Sequence, residues 1–237
     1  VKPGTPYLGH ITFVTWLWKG WRNIYTAEHV NRLHRMLIKH MTGDWTLVCV
    51  TDQPEGIECE TFPLWEIPEP AGLKASAPNC FRRLKLFDEE MAYWFGPMVV
   101  SIDLDCNIYA DLRPLFTTDT FKAAAGQHSY INGSLWQVVP GAHPEVWRDY
   151  HPVETPKLIA ETRHGFRKIS GSDQAWMSIK LPRAPRWTER DGVYQRMHMP
   201  LRYVEPGTKV IFFAGMIKPW DDKCKYEWPK LYSMEGT

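Results

Sequence analysis

Cysteine is scarce and scattered. The five in 237 residues (Cys49, Cys59, Cys80, Cys106 and Cys224) are odd in number and form no CxxC pair. That spacing indicates neither a zinc site nor a disulfide framework, and it points to a reducing, cytoplasmic setting. Long apolar runs are missing too. None approaches the ~20 residues that cross a bilayer, and the N-terminus carries no signal-peptide pattern, so no membrane span is expected. Neither sign of charge is in excess: 28 basic against 27 acidic side chains leave a net charge of +1, and no general pull on nucleic acid follows. Internal repeats, low-complexity tracts and clear linkers are also absent. One domain over residues 1–237 is the economical reading, long enough to bury a sizeable core.

Tryptophan, by contrast, is abundant, with 12 residues. Such rings serve as core, as carbohydrate platforms or as nucleobase platforms, and composition does not choose among them.

Along the chain, Ile11–Val14 is short and β-branched and reads as a first strand, followed by an aromatic loop from Thr15 to Trp21. A helix begins near Thr26, a suitable N-cap, with Glu28 in its first turn; Val30, Leu33, Leu37 and Met41 form its buried face, and Gly43 marks its end. Thr46–Val50 is a nearly all-apolar strand ending at Thr51-Asp52. Strand, helix and strand with short joints make a βαβ unit, and such apolar strands suit a sheet covered on both faces. Residues 53–78 read as an irregular connection with one short strand near Thr61–Leu64. Cys80–Trp94 reads as a helix, and Met98–Ile102 as a third apolar strand. Beyond it lie a strand pair within Gly126–Val139, a short helix over Pro144–Tyr150, and a helix over Ala175–Ile179 capped by Ser172. A loop-rich stretch, Pro182–Pro206, and a late strand, Lys209–Phe213, complete the pattern.

The third strand delivers Asp103-Leu104-Asp105. On an extended strand, residues two apart share a face, so both carboxylates would aim at one point while Leu104 turns into the core. Paired acids repel unless a positive charge sits between them, and a divalent cation is the usual answer. The carboxyl ends of strands are also where open α/β sheets bind ligands. Two chemistries use this placement: a cation held against a nucleotide diphosphate, or a phosphatase of the haloacid-dehalogenase type in which the first Asp attacks phosphate. The phosphatase fits less well. Its motif follows the first strand, it expects Thr or Val where Asn107 stands, and Asp221-Asp222 follows Lys-Pro-Trp instead of a strand.

The order of motifs resembles that of GT-A fold glycosyltransferases, in particular the glycogenin-like glycosyltransferase family 8. The matching pieces are Phe13-Val14-Thr15, Asp103-Leu104-Asp105, Asn132-Gly133-Ser134, Asp173-Gln174 and Gly215-Met216-Ile217-Lys218-Pro219-Trp220. They run in the family's order over nearly the whole chain, and the last is the most specific. The resemblance implies an α/β fold: a single GT-A (Rossmann-like) domain with a mixed, mostly parallel central sheet flanked by helices. The donor-nucleotide half would cover about 10–112 and the acceptor and closing half about 113–237.

It also implies roles. Thr15, Trp16 and Tyr25 would surround the nucleobase, and Asp52 would touch base or ribose, unless it is only a turn residue. Arg83 would face the donor diphosphate or sugar, or else be a solvated helix charge. Asp103 and Asp105 would hold Mn2+ or Mg2+, with Leu104 between them in the donor site. Asn132, Gly133, Ser134 and Gly215 would lie against the donor. Asp173 and Gln174 would hydrogen-bond the sugar and stabilise an oxocarbenium-like centre, the alternative being a simple helix start. Lys218 would bind the departing β-phosphate, and Trp220 would pack the segment beneath it. The implied reaction moves a sugar from a nucleotide donor, UDP-glucose or similar, to a hydroxyl acceptor with retention of configuration.

One departure stands out. The family's third metal ligand, a His before that glycine, is replaced by Phe212-Phe213-Ala214, so a ligand would come from elsewhere, for example His198, or from none. The acceptor is left open between a hydroxymethylated base in DNA and a glycan or protein hydroxyl. Arg183, Arg186, Trp187, Arg190, Arg196 and Arg202 would suit a polyanion, or would make an ordinary surface loop paired to Glu189, Asp191 and Glu205. A non-catalytic carbohydrate-binding protein is a third class, suggested by tryptophan alone. The remaining histidines show no ligand spacing, and the sequence is silent on oligomeric state.

Overall fold

Strand β1 (Ile11–Leu17) is buried at every position and divides the core in two. Ile11, Phe13 and Leu17 belong to one apolar cluster, and Val14 and Trp16 to another on the opposite side. This alternation is the two-residue period of a strand covered on both faces. A computed structural model describes residues 2–20, 25–72, 79–127, 129–164, 167–169, 172–199, 203–215, 217–221 and 224, with the side chains of 164, 167, 168 and 198 outside that set. His128, Arg202, Met216 and Asp222, and the side chain of His198, therefore lie outside the described residues.

Helix α1 (Ala27–His40) packs Val30, Leu33 and Leu37 inward, and the Thr26 amide donates to His29 Nδ1 at 2.9 Å at its start. The chain leaves α1 through Gly43, whose φ of +76° suits glycine. Strands β2 (Trp45–Thr51) and β3 (Glu60–Pro63) follow. Next come a 3-10 helix (Cys80–Phe87), helix α2 (Met91–Phe95), strand β4 (Val99–Ile102) and strand β5 (Cys106–Ile108). Strands β6 (Phe121–Ala125) and β7 (Ile131–Val138) precede helices α3 (Pro144–Arg148) and α4 (Glu154–Glu161). The short strands β8 (Arg163–His164) and β9 (Arg167–Lys168) lead to helix α5 (Asp173–Lys180). Strands β10 (Arg186–Trp187), β11 (Val193–Gln195) and β12 (Val210–Phe212) come last.

The central sheet has the order β10-β6-β7-β4-β1-β2-β3. Its strands are parallel except at β7, which runs antiparallel to β4 and β6. A second sheet, β11-β12-β5, pairs β12 antiparallel to the strand that follows the acid pair. No described helix is long and apolar enough to cross a membrane.

Several sequence expectations are corrected. The first strand runs on to Leu17, so Thr15 and Trp16 are strand residues, held by pairing to Cys49 and Val50. The expected helix Cys80–Trp94 breaks at Asp88, whose backbone is extended and whose Oδ1 accepts from the Glu90 amide at 3.1 Å; a carboxylate that captures nearby amides competes with helix propagation. The strand pair near Gly126 begins earlier, with β6 supplying the first arm. Ser172 precedes α5 without a side-chain cap, because its hydroxyl donates to Asp173 Oδ1 at 3.0 Å. The stretch 182–206 contains β10 and β11 as well as loops.

Packing in the core accounts for five of the tryptophans. Trp136 and Trp187 are fully buried, and Trp16, Trp65 and Trp176 nearly so. Four of these five rings keep a partner for the indole N–H: Trp16 donates to Ser101 Oγ, Trp65 to Arg82 O, Trp176 to Val146 O and Trp187 to Leu115 O.

Candidate active site

Asp103 and Asp105 lie in the turn between β4 and β5, just past the strand end, and both line a cavity of about 560 Å³. They share it without sharing a strand face, because the turn does the aiming. Leu104 between them is buried in the core, 5 % exposed. The Asp103 amide donates to Ser134 O at 2.9 Å, which ties the turn to β7. The Asp105 carbonyl accepts from the Phe213 amide at 2.8 Å, which ties it to the chain beyond β12. Asn132, Ser134, Gln174 and Gly215 line the same cavity.

Behind the cavity Arg83 is a buried connector. Its Nη1 donates to Asp103 Oδ1 at 2.6 Å and to Gly133 O at 3.0 Å, and its Nη2 sits 2.7 Å from Asp173 Oδ2. Burial works against the charge of Arg83, but Asp173 and Asp103 outweigh that and hold it above its ordinary range. Arg83 is therefore no solvated helix charge. Gly133 makes room for it, since a Cβ there would stand 2.8 Å from Arg83 Nη2. The Gly133 amide donates to Gln174 Oε1 at 3.2 Å, fixing that side chain at the rim. Asp173, 1 % exposed, lies against Arg83 and away from the cavity lining.

Lys218 is buried behind Asp105 and is not part of the cavity lining. Its ammonium is paired with Asp105 Oδ2 and donates to Phe213 O at 3.2 Å. The Tyr25 hydroxyl donates to the same Asp105 oxygen at 3.1 Å. Burial, then the nearby Asp105 and Asp103, raise the Tyr25 pKa, so the phenol stays protonated and donating. The Trp220 ring packs at a tilt against His29 with ring centroids 4.2 Å apart, and lies 6.1 Å from the Tyr25 ring, anchoring its segment on α1.

Other candidates sit elsewhere. Thr15 is fully buried and donates to Ile102 O at 3.0 Å, and the Trp16 ring is turned into the core. Asp52 is exposed at the end of β2 and accepts from the Lys19 amide at 3.0 Å, a turn contact. In the segment before Gly215, Phe213 is fully buried and Ala214 lines the cavity. Gln127, Gln195, Arg196 and Met197 also line it and were not read as site residues, although Arg196 was noted for its charge. No local sequence signal marks Gln195.

Three carboxylates (Asp103, Asp105, Asp173) meet two paired cations (Arg83, Lys218) here. Burial raises the Asp103 pKa, Arg83 opposes, and Asp105 and Asp173 add to the rise, as expected where negative charge is in excess. Two carboxylates facing one cavity are hard oxygen donors of the kind Mg2+ and Mn2+ prefer. No group of three or more His, Cys, Asp or Glu that could hold a metal occurs among the described residues.

The mixed, mostly parallel seven-stranded sheet between helices is the fold of the GT-A glycosyltransferases. Among solved structures, the galactosyltransferase LgtC in complex with donor and acceptor sugar analogues matches with a TM-score of 0.57 and 13 % identity, covering 95 % of both chains. The glycosyltransferase GlyE of Streptococcus pneumoniae TIGR4 matches with a TM-score of 0.62 and 12 % identity, over 95 % of this chain and 59 % of that one. The bifunctional glycosyltransferase WbbM matches with a TM-score of 0.61 and 12 % identity, over 100 % of this chain and 51 % of that one. No protein-family model and no curated protein sequence matches the chain.

Proposed function

We propose that this chain is a nucleotide-sugar glycosyltransferase, acting as one domain, that moves a sugar from a UDP-sugar such as UDP-glucose to a hydroxyl acceptor, with retention. The observation that carries the reading is the cavity at the end of β4, where Asp103 and Asp105 face Asn132, Ser134 and Gln174 across a space of ligand size. Asp103 and Asp105 would hold Mn2+ or Mg2+. When bound, that cation supplies Lewis-acid neutralisation of the diphosphate.

The chain's own residues do the rest. Arg83 fixes Asp103 and Asp173 against each other, and Tyr25 orients the Asp105 carboxylate. Lys218 is held on Asp105 and is released to the diphosphate as negative charge develops there, a donor aimed at the transition state. In the transfer, the bond between the anomeric carbon and the phosphate oxygen breaks, and that oxygen keeps the electron pair. The acceptor oxygen bonds to the same carbon from the leaving-group side and gives its proton to the departing phosphate. Gln174, held by the Gly133 amide, lies at the cavity wall to stabilise the sugar as its ring gains positive charge.

A thermal-shift panel of UDP-, GDP- and CMP-sugars with and without Mn2+ tests this. A UDP-sugar that stabilises only when Mn2+ is present is the expected result. Equal shifts with and without metal, or none with any donor, would overturn it.

A further inference from the structure

A second cavity, of about 400 Å³, opens beside the first, and the two share Gly126, Gln127 and Gln195 in their walls. Gln195 is the inner member of this partition. It ends β11, is 7 % exposed, and its Oε1 has no hydrogen-bond partner among the described residues. A buried amide oxygen left unpaired costs stability, typically ~1–3 kcal/mol, and needs an explanation. The neighbouring Arg196 lines the first cavity and likewise keeps a buried, unpartnered Nε. The terminal torsion of a glutamine is broad, so the carboxamide can turn either end to a ligand.

The far wall of the second cavity carries Thr188, Glu189 and Arg190. Its charges oppose one another, which disfavours a polyanion such as nucleic acid and suits a neutral ligand rich in hydroxyls. Arg186 is already engaged, stacked 3.8 Å over the Tyr130 ring.

Resting on the glycosyltransferase reading, we infer that the acceptor is a neutral oligosaccharide. It spans both cavities, and one of its hydroxyls donates a hydrogen bond to Gln195 Oε1 where it crosses the partition. The sugar that receives the transfer lies in the first cavity, and the next sugar along lies in the second. Gln195 is thus a specificity-determining residue that favours acceptors of two or more units.

The test uses UDP with Mn2+ as the donor-site probe and, as acceptors, glucose, maltose, maltotriose, galactose and lactose with the UDP-sugar found to bind. Transfer efficiency should rise by about tenfold from monosaccharide to disaccharide, roughly one good contact's worth. Arg190→Trp, an exposed position filling the second cavity, should remove that gain. Gln195→Met, close in volume, should reduce it while the UDP thermal shift persists and reports a folded donor site. If UDP with Mn2+ gives no shift in the unaltered chain, the glycosyltransferase reading fails and takes this inference with it. Should UDP bind while transfer is independent of acceptor length, or occur to none of these sugars, the inference alone is overturned. Retention of the full gain in Arg190→Trp would overturn it equally.

Discussion

Lys218 and Asp105, 113 positions apart in sequence, form a buried ion pair at the wall of the cavity. The cation that would assist a leaving diphosphate thus rests on the acid that would hold a metal. Replacing it by Lys218→Met strands a buried carboxylate. The expected loss is about 3–5 kcal/mol in urea unfolding without metal, the usual cost of breaking such a pair. Mn2+ should return part of that stability to the variant, while kcat should fall by about 10²–10³-fold, the scale for removing one charge-stabilising donor. Unchanged unfolding in EDTA would show that the pair is not formed in solution.

Protonation of Asp103 gives a second prediction. Burial, with Asp105 and Asp173 adding to it against Arg83, raises its carboxyl from 3.8 to about 6. Between those values the folded chain holds a proton that the unfolded chain has released. The contribution to stability is therefore fully present below about pH 4 and lost as pH rises through about 6. The Tm of the metal-free protein minus that of Asp103→Asn, which does not titrate, should fall across this window. Stabilisation by Mn2+ should grow across it, because the ligand must be ionised. A Tm difference that is flat with pH would contradict the assignment.

Gly133→Ala places a methyl 2.8 Å from Arg83 Nη2. The guanidinium is buried and bonded on both sides, so it has little room to retreat. Overpacking of this kind costs about 1–3 kcal/mol, and activity should fall with it, because Asp103 and Asp173 lose their common partner. Urea unfolding and kcat measured on the same preparation check this; an alanine variant of full stability would mean that Arg83 moves freely.

Trp16→Phe separates core from base platform. The indole N–H donates to Ser101 Oγ at 3.0 Å, and the ring packs at 5.4 Å from Trp65. Loss of about 1–2 kcal/mol with an unchanged KM for the donor is expected, given one lost buried hydrogen bond and a smaller ring. A raised donor KM at full stability would return Trp16 to the nucleobase.

The sequence was legible where a strand is covered on both faces. Ile11–Leu17, Trp45–Thr51 and Val99–Ile102 are apolar enough to be read without partners, and the pair Asp103 and Asp105 stands out against them. Reading stopped where structure depends on distant pairing. Cys106–Ile108 is three residues long with polar Asn107 at its centre, and it is a strand because Val210–Phe212 lies beside it. Gln195 belongs to an equally short strand that shows no periodicity, so its place between two cavities left no trace in the local pattern. Thr15 and Trp16 were misplaced for the opposite reason: aromatic, turn-like neighbours masked a strand whose length is set by its partner β2.

The amide of Phe213 binding the carbonyl of Asp105 also bears on the order in which the protein comes into being. The acid turn emerges from the ribosome long before β12, and until that strand arrives β5 keeps an unpaired edge and Asp105 lacks its lysine. A nascent chain can thus build the β1–β4 sheet early, while the Asp103–Asp105 turn gains its contacts from β12 and Lys218 only later.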